Sequence, residues 1–289
     1  MASQELNELN KLPASERIAP LIALGRRAVA EPAGLVSAGL DADAVVRAFI
    51  DLVASGEGSS AERVELGEVL SSLGDPRILP ANHDSYWVRL EGEEGAFAIG
   101  RFPVTNTEFR AFVDGGGYQD REAWSEEGWA WLQSCDDPWP VRASHSEGSP
   151  LLIANQPVVG VTWHEASAFA LSAGARLPRF DERLWATRGD ERRPYPWGMP
   201  FGTGNANTRE EVLRRPCAVG LFVRDCTPEG VYDLAGNVAE WCSDGVARDR
   251  WIHPGSWQEP SMAAWAKARS PEAPDSRWAG LGFRLVRDV

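Results

Sequence analysis

Thirteen tryptophans constrain the fold of this chain more than any other feature of its sequence. An indole ring is large, and its N–H group needs a hydrogen-bond partner when it is buried. A domain rich in tryptophan therefore suits short, irregular elements held together by large and specifically oriented side chains. Twenty-eight glycines and twenty prolines, which favour turns and loops, indicate the same architecture.

The composition is that of a globular protein, with 43% hydrophobic and 25% charged residues in a chain of 289. A formal charge of −13 argues against a nucleic-acid-binding surface, which needs a basic stripe. No window of about eighteen apolar residues could span a membrane. The N-terminus lacks the basic and apolar regions of a secretion signal. We therefore expect a cytoplasmic protein with no nucleic-acid or membrane partner. Its cysteines should be free thiols: Cys135, Cys217, Cys226 and Cys242.

The first part of the chain, residues 1–80, has the apolar spacing of short helices. Three such segments follow Ser15, Asp41 and Ser59, which are candidate N-cap residues. Gly74 is placed to end the third helix. We predict a small helical segment here, in which no chemistry is evident.

The remainder, residues 81–289, changes to short strands, turns and a few helices. Segments 87–90 and 97–100 have the composition of strands. Thr-x-x-Glu capping boxes begin at Thr105 and Thr162, and each precedes an apolar helical face. We assign this part to a second domain of the α+β class with little regular secondary structure.

A series of short motifs runs through this second domain. The motifs are Gly100-Arg-Phe-Pro-Val-Thr-Asn-Thr-Glu-Phe109, Gln156-Pro-Val-Val-Gly-Val-Thr-Trp163, Arg176-Leu-Pro-Arg-Phe-Asp-Glu-Arg-Leu-Trp185, Arg193-Pro-Tyr-Pro-Trp-Gly198, Gly230-Val-Tyr-Asp-Leu-Ala-Gly-Asn-Val-Ala-Glu-Trp241, Pro254-Gly-Ser-Trp257 and Gly282-Phe-Arg284. In type and order the series resembles the formylglycine-generating-enzyme (sulfatase-modifying-factor) family over roughly residues 86–289. The resemblance implies a variant of the C-type-lectin-like fold, with packed aromatic side chains and bound calcium.

The metal ligands of the enzymes in that family are missing from this sequence. The family's oxidase holds copper with two cysteines just after its Gly-Ser-aromatic motif, since thiolates suit Cu(I). The corresponding stretch, 255–265, contains no cysteine, and Cys242 stands alone upstream. Related sulfoxide synthases place a His-rich iron site in an added N-terminal bundle, but residues 1–80 contain no histidine. We therefore expect no copper or iron, and we favour a protein without catalytic activity.

Other catalytic patterns are equally scarce. The sequence contains no GxSxG, HExxH or phosphate-binding-loop motif. A hydrolase built from Ser256, His253 and a carboxylate is conceivable, although that Gly-Ser turn has a simpler structural role. Our main hypothesis is a non-catalytic ligand- or protein-binding module that serves a bacterial signalling, proteolytic or conflict system. The alternatives are a metal-dependent oxidoreductase of the same family and a variable binding protein of a diversity-generating retroelement.

Structural calcium, at one or two sites, is implied by the resemblance, and calcium prefers hard oxygen ligands. The first site would use the side chains of Asp233 and Glu240 and the carbonyls of Gly236 and Val238. The second site would use Asn207, Thr208, Glu211 and Leu213, with Glu210 as a substitute for Glu211. The competing interpretation is that Asp233 and Glu240 only cap and solvate a turn.

A recognition face for a protein partner is predicted between residues 251 and 278. Tryptophan, methionine and arginine occur together there, as they do in interface hot spots. The candidate residues are Trp251, His253, Gln258, Glu259, Met262, Trp265, Lys267, Arg269 and Trp278. We place Trp257 in the core and leave both possibilities open for Trp265 and Trp278.

Overall fold

The computed structural model describes residues 2–31, 41–146 and 148–289 of the chain. The chain divides into two compact units, Met1–Arg77 and Ile78–Val289. Within the predicted N-terminal helical segment, residues 32–40 lie outside the described residues. Among the residues described, no helix is long and apolar enough to cross a membrane.

The first unit is helical, with α1 (Ala2–Leu9), α2 (Ala14–Ala30), α3 (Ala42–Ser55) and α4 (Ser60–Leu73). Asp41 caps α3, and Ser59 opens α4 with the predicted capping box. The N-cap of α2 is Pro13 and not Ser15, because Ser15 already lies within the first helical turn. The apolar faces meet tightly at Gly25, where an added Cβ would lie 2.5 Å from both Phe49 and Val69.

Two small sheets form the framework of the second unit. The first has the order β1–β2–β7 and the second has the order β5–β4–β3–β6. All paired strands are antiparallel except β3 and β6. The strands are β1 (Trp87–Gly92), β2 (Gly95–Gly100), β3 (Ala239–Val246), β4 (Asp249–His253), β5 (Ser270–Glu272), β6 (Leu281–Gly282) and β7 (Val286–Asp288). Both predicted strands are therefore present, as β1 and β2.

Short helices fill the rest of this unit, so the predicted α+β class is confirmed. They are α5 (Asn106–Asp114), α6 (Glu126–Ser134), α7 (Trp139–His145), α8 (Trp163–Ser172) and α9 (Phe180–Arg188). The capping boxes at Thr105 and Thr162 open α5 and α8 as predicted, since each threonine exchanges hydrogen bonds with the glutamate three residues later.

Buried aromatic rings hold the second unit together. Phe109 and Phe169 stack on each other, and Phe283 packs edge-to-face against both, with centroids 5.5–6.1 Å apart. Trp241 is fully buried, and its Nε1 donates to the carbonyl of Val161 at 3.1 Å. The tryptophans thus combine apolar bulk with a fixed hydrogen bond, which is the role that their abundance predicts.

Candidate functional site

A cleft of about 200 Å³ lies in the second unit, beside helix α7. Its walls come from α7, from the turn at Val159 and Gly160, and from residues 277–279, together with Ser146, Ser149, Leu151 and Leu152. Helix α7 follows Pro138 and carries a second proline in its first turn. Proline is tolerated there because the first N–H groups of a helix have no intrahelical acceptor.

Two guanidinium groups line this cleft. Arg277 is fixed by Asp137, whose backbone and side-chain oxygens accept from Nη1 at 2.6 and 2.8 Å. The Nε of Arg142 donates to the same Asp137 carbonyl at 3.1 Å. Its Nη2 is buried and has no hydrogen-bond partner. Nη2 lies 3.6 Å from the carboxylate of the buried Glu165, whereas the Arg142 side chain as a whole is 25% exposed, so its exposed part is suited to donate to an anionic oxygen in the cleft.

The guanidinium of Arg142 lies near charged side chains and near the backbone at Gly160. Burial lowers the pKa of Arg142, while Glu165 and Asp137 raise it; an arginine side chain nevertheless stays charged in proteins. On another side lies Gly160, where an added Cβ would stand 3.3 Å from Nη1. Gly160 also has φ of +69°, a conformation that favours glycine. The backbone can therefore approach the guanidinium closely at this point.

Indole rings form the apolar part of the cleft. Trp139 is 4% exposed, and its Nε1 donates to the carbonyl of Val159 at 3.2 Å. Trp278 is half-buried and lines the cleft as part of residues 277–279. An aromatic face attracts cations, including quaternary ammonium groups. A guanidinium donor next to aromatic walls suits a small zwitterion that carries both a carboxylate and a cationic group.

The predicted calcium ligand Glu240 is occupied by two arginines. Its carboxylate is fully buried and accepts from Arg183 at 2.9 Å and from Arg284 at 2.7 to 3.0 Å. Burial raises the pKa of Glu240, but the two guanidiniums outweigh burial and hold that pKa below its usual value. Both oxygens are already used by cations, which contradicts a metal-binding role.

The loop around Asp233 directs three backbone amides at one carboxyl group, and its carbonyls of Tyr232, Asp233 and Leu234 accept from arginines. The carboxylate of Asp225 accepts from the amides of Leu234, Ala235 and Gly236 at 2.9–3.2 Å. The predicted ligand Gly236 uses its carbonyl to accept from the amide of Val238 at 2.9 Å. Asp233 itself accepts from the amide of Gly220 at 2.8 Å. The amides of the loop therefore converge on the side chain of Asp225, whereas calcium would need converging oxygens.

The second predicted calcium site is also held by protein groups. Asn207 donates to the carbonyl of Arg215 at 3.1 Å and to the side chain of Asn237 at 3.2 Å. The side chain of Glu211 accepts from the amide of Gly204, and Thr208 donates to Glu210 at 2.7 Å. Leu213 is half-buried. Across the described ranges, no group of three or more His, Cys, Asp or Glu side chains is placed to hold a metal ion.

The residues of the predicted recognition face lie in several different environments. His253 is fully buried with Nε2 3.1 Å from the carbonyl of Trp265, so neither a surface role nor a hydrolytic role with the equally buried Ser256 is possible. Trp251 lies under the guanidinium of Arg269 at 4.5 Å. Only Met262 and Trp265 are strongly exposed apolar side chains, at 74% and 51%. Gln258 and Glu259 are half-buried and Lys267 is exposed.

Trp278 alone of those candidates lines the cleft. Sequence reasoning missed the other chemically important groups there, namely Arg142, Arg277 and the buried Glu165. The segment Pro138-Trp-Pro-Val-Arg142 matches none of the motifs above, and its arginine looks like an ordinary surface residue. A signal was nevertheless present, because a tryptophan between two prolines at a helix start is unusual and fixes the direction of the following turn.

The fold and these motifs define a member of a known family. Residues 89–289 match the model of the sulfatase-modifying factor enzyme 1-like domain, so the chain belongs to the FGE-sulfatase family. Among solved structures, PvdO from Pseudomonas aeruginosa is similar with a TM-score of 0.51 at 23% identity, over 68% of this chain and 81% of PvdO. The predicted C-type-lectin-like fold of the formylglycine-generating-enzyme type is therefore confirmed.

Named relatives of this chain are enzymes. A hercynine oxygenase from Mycolicibacterium thermoresistibile is 40% identical over 67% of this chain and 51% of its own length. One from Mycobacterium tuberculosis is 38% identical over 67% of this chain and 53% of its own length. A formylglycine-generating enzyme from Thermomonospora curvata is 33% identical over 53% of this chain and 61% of its own length. The chain spans about half the length of the hercynine oxygenases that it matches.

These relatives correct two expectations drawn from the sequence. The prediction of a non-catalytic module is wrong, because relatives at 38–40% identity are oxygenases and an oxidoreductase fits better. The prediction of calcium without copper or iron is wrong for the same reason, since oxygen chemistry in proteins is carried by cofactors such as iron, copper, haem or flavin. Both expectations rest on the missing pair of cysteines in residues 255–265 and on the missing histidines in residues 1–80.

In the part of the chain that the structure describes, no cluster of side chains fits the metal that such an oxygenase implies. Cys242 is fully buried, and burial together with nearby Asp244 raises its pKa well above the usual value. Burial likewise raises the pKa of Cys226 to about 11, so neither sulfur is disposed to become a thiolate ligand. His253 is buried against a carbonyl, and His164 is stacked on Trp131 at 5.3 Å. No step of the reaction is therefore assigned to a metal on these residues.

Proposed function

We propose that this protein is an oxidoreductase of the FGE-sulfatase family, and specifically an oxygenase that acts on a small betaine of the hercynine type. The names of its relatives support the reaction class. The cleft beside α7 supports the substrate class. The observation that carries the proposal is the Arg142 side chain, which is 25% exposed and lines a cleft that Trp278 also lines.

Hercynine is the trimethylated betaine of histidine, and its chemistry matches the two parts of the cleft. Its carboxylate can accept from Arg142, in a charge-assisted hydrogen bond that is stronger than a neutral one. Its quaternary ammonium group cannot donate a hydrogen bond and is bound best by an aromatic face, which Trp278 supplies. A molecule with only one of these groups would leave half of the cleft unused.

The residues of this chain would thus bind and orient the substrate. Arg142 fixes the carboxylate, and Arg277, already held by Asp137, adds positive potential without being free to move. The rings of Trp139 and Trp278 exclude water from the bound ammonium. Holding a reactant in one geometry lowers the entropic part of a reaction barrier. The oxidising centre is not assigned to any of these residues.

We also propose a cytoplasmic location and a protein partner. Free thiols at Cys135, Cys217, Cys226 and Cys242 are usual in a reducing compartment, which supports a cytoplasmic location. The exposed Met262 and Trp265 support the expected protein partner, since methionine and tryptophan are enriched at interfaces.

Calorimetric titration of the purified chain with hercynine tests substrate binding. We expect saturable binding, weaker binding of histidine and glycine betaine, and about 10-fold or greater loss of hercynine affinity in Arg142→Met, because a hydrogen bond to a charged group contributes about 1.5–3 kcal/mol. Arg179→Met is the matched control, since Arg179 pairs with Glu94 and Asp181 outside the cleft. Undetectable hercynine binding, or equal binding in both variants, would contradict the substrate assignment.

Oxygen uptake tests the reaction class. The protein should be isolated from the cells that make it naturally, so that any metal-bearing partner is retained. We expect hercynine-dependent oxygen consumption that is reduced in Arg142→Met and unchanged in Arg179→Met. If hercynine is bound but oxygen is never consumed, the cleft assignment stands and the oxygenase assignment fails.

A further inference from the structure

Glu165 connects the walls of the cleft to the core. It lies in the first turn of α8 and is fully buried. Its Oε2 accepts from the amide and hydroxyl of Thr162 at 2.8 and 3.0 Å, which completes the capping box. Its Oε1 accepts from the hydroxyl of Tyr118 at 2.8 Å and from the amide of Trp139 at 2.6 Å. One carboxylate therefore fixes the start of α8 and the start of α7 together.

The charge of Glu165 also acts on Arg142, which lines the cleft. Its Oε2 lies 3.6 Å from Nη2 of Arg142, beyond hydrogen-bond distance but within ion-pair distance. In a buried setting such a charge pair is screened less than at the surface. Glu165 can therefore hold the buried Nη2 side of the guanidinium in place while the exposed part of the Arg142 side chain lines the cleft.

Capping alone does not account for these contacts. The Thr105–Glu108 box at the start of α5 has the same reciprocal hydrogen bonds. There the amide and the hydroxyl of Thr105 donate to the carboxylate of Glu108 at 2.8 and 2.6 Å. Glu108 adjoins Tyr86 and neither lines the cleft nor forms an ion pair with a cleft arginine. Glu165 therefore has two contacts that Glu108 lacks: the hydrogen bond from the amide of Trp139 and the ion pair with Arg142.

We infer that Glu165 is a positioning residue that sets the Arg142 guanidinium for a ligand carboxylate, and so determines the preference of the cleft for carboxylate-bearing ligands. The inference rests on the proposed function of the cleft. It makes Glu165 a specificity determinant that does not itself touch the substrate.

The test compares Glu165→Gln with Glu108→Gln, which makes the same substitution at the equivalent position of the other capping box. Affinities for hercynine and for hercynine carboxamide are measured by calorimetry, and thermal melts are recorded for each variant. We expect both variants to melt below the wild type. Glu165→Gln should reduce the preference for hercynine over its carboxamide about 10-fold, a shift equivalent to 1.4 kcal/mol, whereas Glu108→Gln should leave the preference unchanged. A loss of stability alone would not change this ratio.

Two further variants make every outcome decisive. Combining Glu165→Gln with Arg142→Met should give no further loss of preference, because the effect acts through Arg142. If Glu165→Gln fails to fold, Glu165→Asp retains the charge but retracts it by one methylene, and it should lose part of the preference. An unchanged preference in the Glu165 variants overturns the positioning role. Failure of the wild type to bind hercynine instead overturns the proposed function.

Discussion

At the scale of single residues, Glu240 illustrates how the partners of a side chain decide its role. The carboxylate lies between Arg183 and Arg284, and all three side chains are at most 1% exposed. Arg284 also donates to the carbonyls of Gly100, Tyr232 and Asp233 at 2.9–3.2 Å. The cluster thus joins β3 to the C-terminal segment and to two loops by buried, charged hydrogen bonds.

Removing one member of this cluster leaves the others buried and uncompensated. We expect Glu240→Gln to lower the free energy of unfolding by about 3–5 kcal/mol, as does breaking a buried ion pair. Glu91→Gln is the control, because Glu91 pairs with Arg89 at an exposed site and should contribute below about 1 kcal/mol. Urea unfolding monitored by tryptophan fluorescence measures the free energy of unfolding of both variants. Equal stability of the two variants would show that the cluster does not stabilise the fold.

At the scale of elements, the capping box of α5 should give the protein a measurable pH dependence. Burial raises the pKa of Glu108 from 4.5 to about 7, while bonds from Thr105 oppose that shift. A carboxyl with a raised folded-state pKa binds a proton more tightly in the folded state than in the unfolded chain. Its contribution to stability is therefore complete below pH 4.5 and is lost as the pH rises towards about 7.

Glu108→Gln isolates this contribution, since glutamine can occupy the same position of a capping box and does not titrate. As the pH rises from about 4.5 to about 7.5, past the folded-state pKa, the melting temperature of the wild type should fall relative to that of the variant. Melts at several pH values in one ionic strength would measure the difference. A constant difference across the range would show that Glu108 titrates normally.

At the scale of the whole molecule, the cleft belongs to the second unit alone. Every residue that lines it lies between 139 and 279, and that unit has its own aromatic core. We expect a fragment of residues 78–289 to fold and to bind hercynine with the affinity of the full chain. Circular dichroism and calorimetry would check this. A folded fragment that binds hercynine much more weakly would show that the helical unit contributes to the site.

The features that sequence analysis predicted correctly depend on residues close together in the chain. The caps at Asp41, Ser59, Thr105 and Thr162 each require a side chain and an amide no more than three positions apart. Strands β1 and β2 and the family motifs have the same local character. Such contacts form without the rest of the fold, so residue type and spacing are sufficient to identify them.

Tertiary structure alone decided the site. Arg277 meets Asp137 across 140 positions, and Trp139 meets Glu165 across 26, so no spacing rule connects them. The Asp233 loop was misassigned for a related reason. Residue types show that a loop contains oxygens, but not whether its amides or its carbonyls converge, and here its amides donate to the side chain of Asp225. The sequence by itself therefore determined the elements and the family. Which charged groups meet, and whether a cation or an anion lies between them, depended on chain segments brought together only by folding.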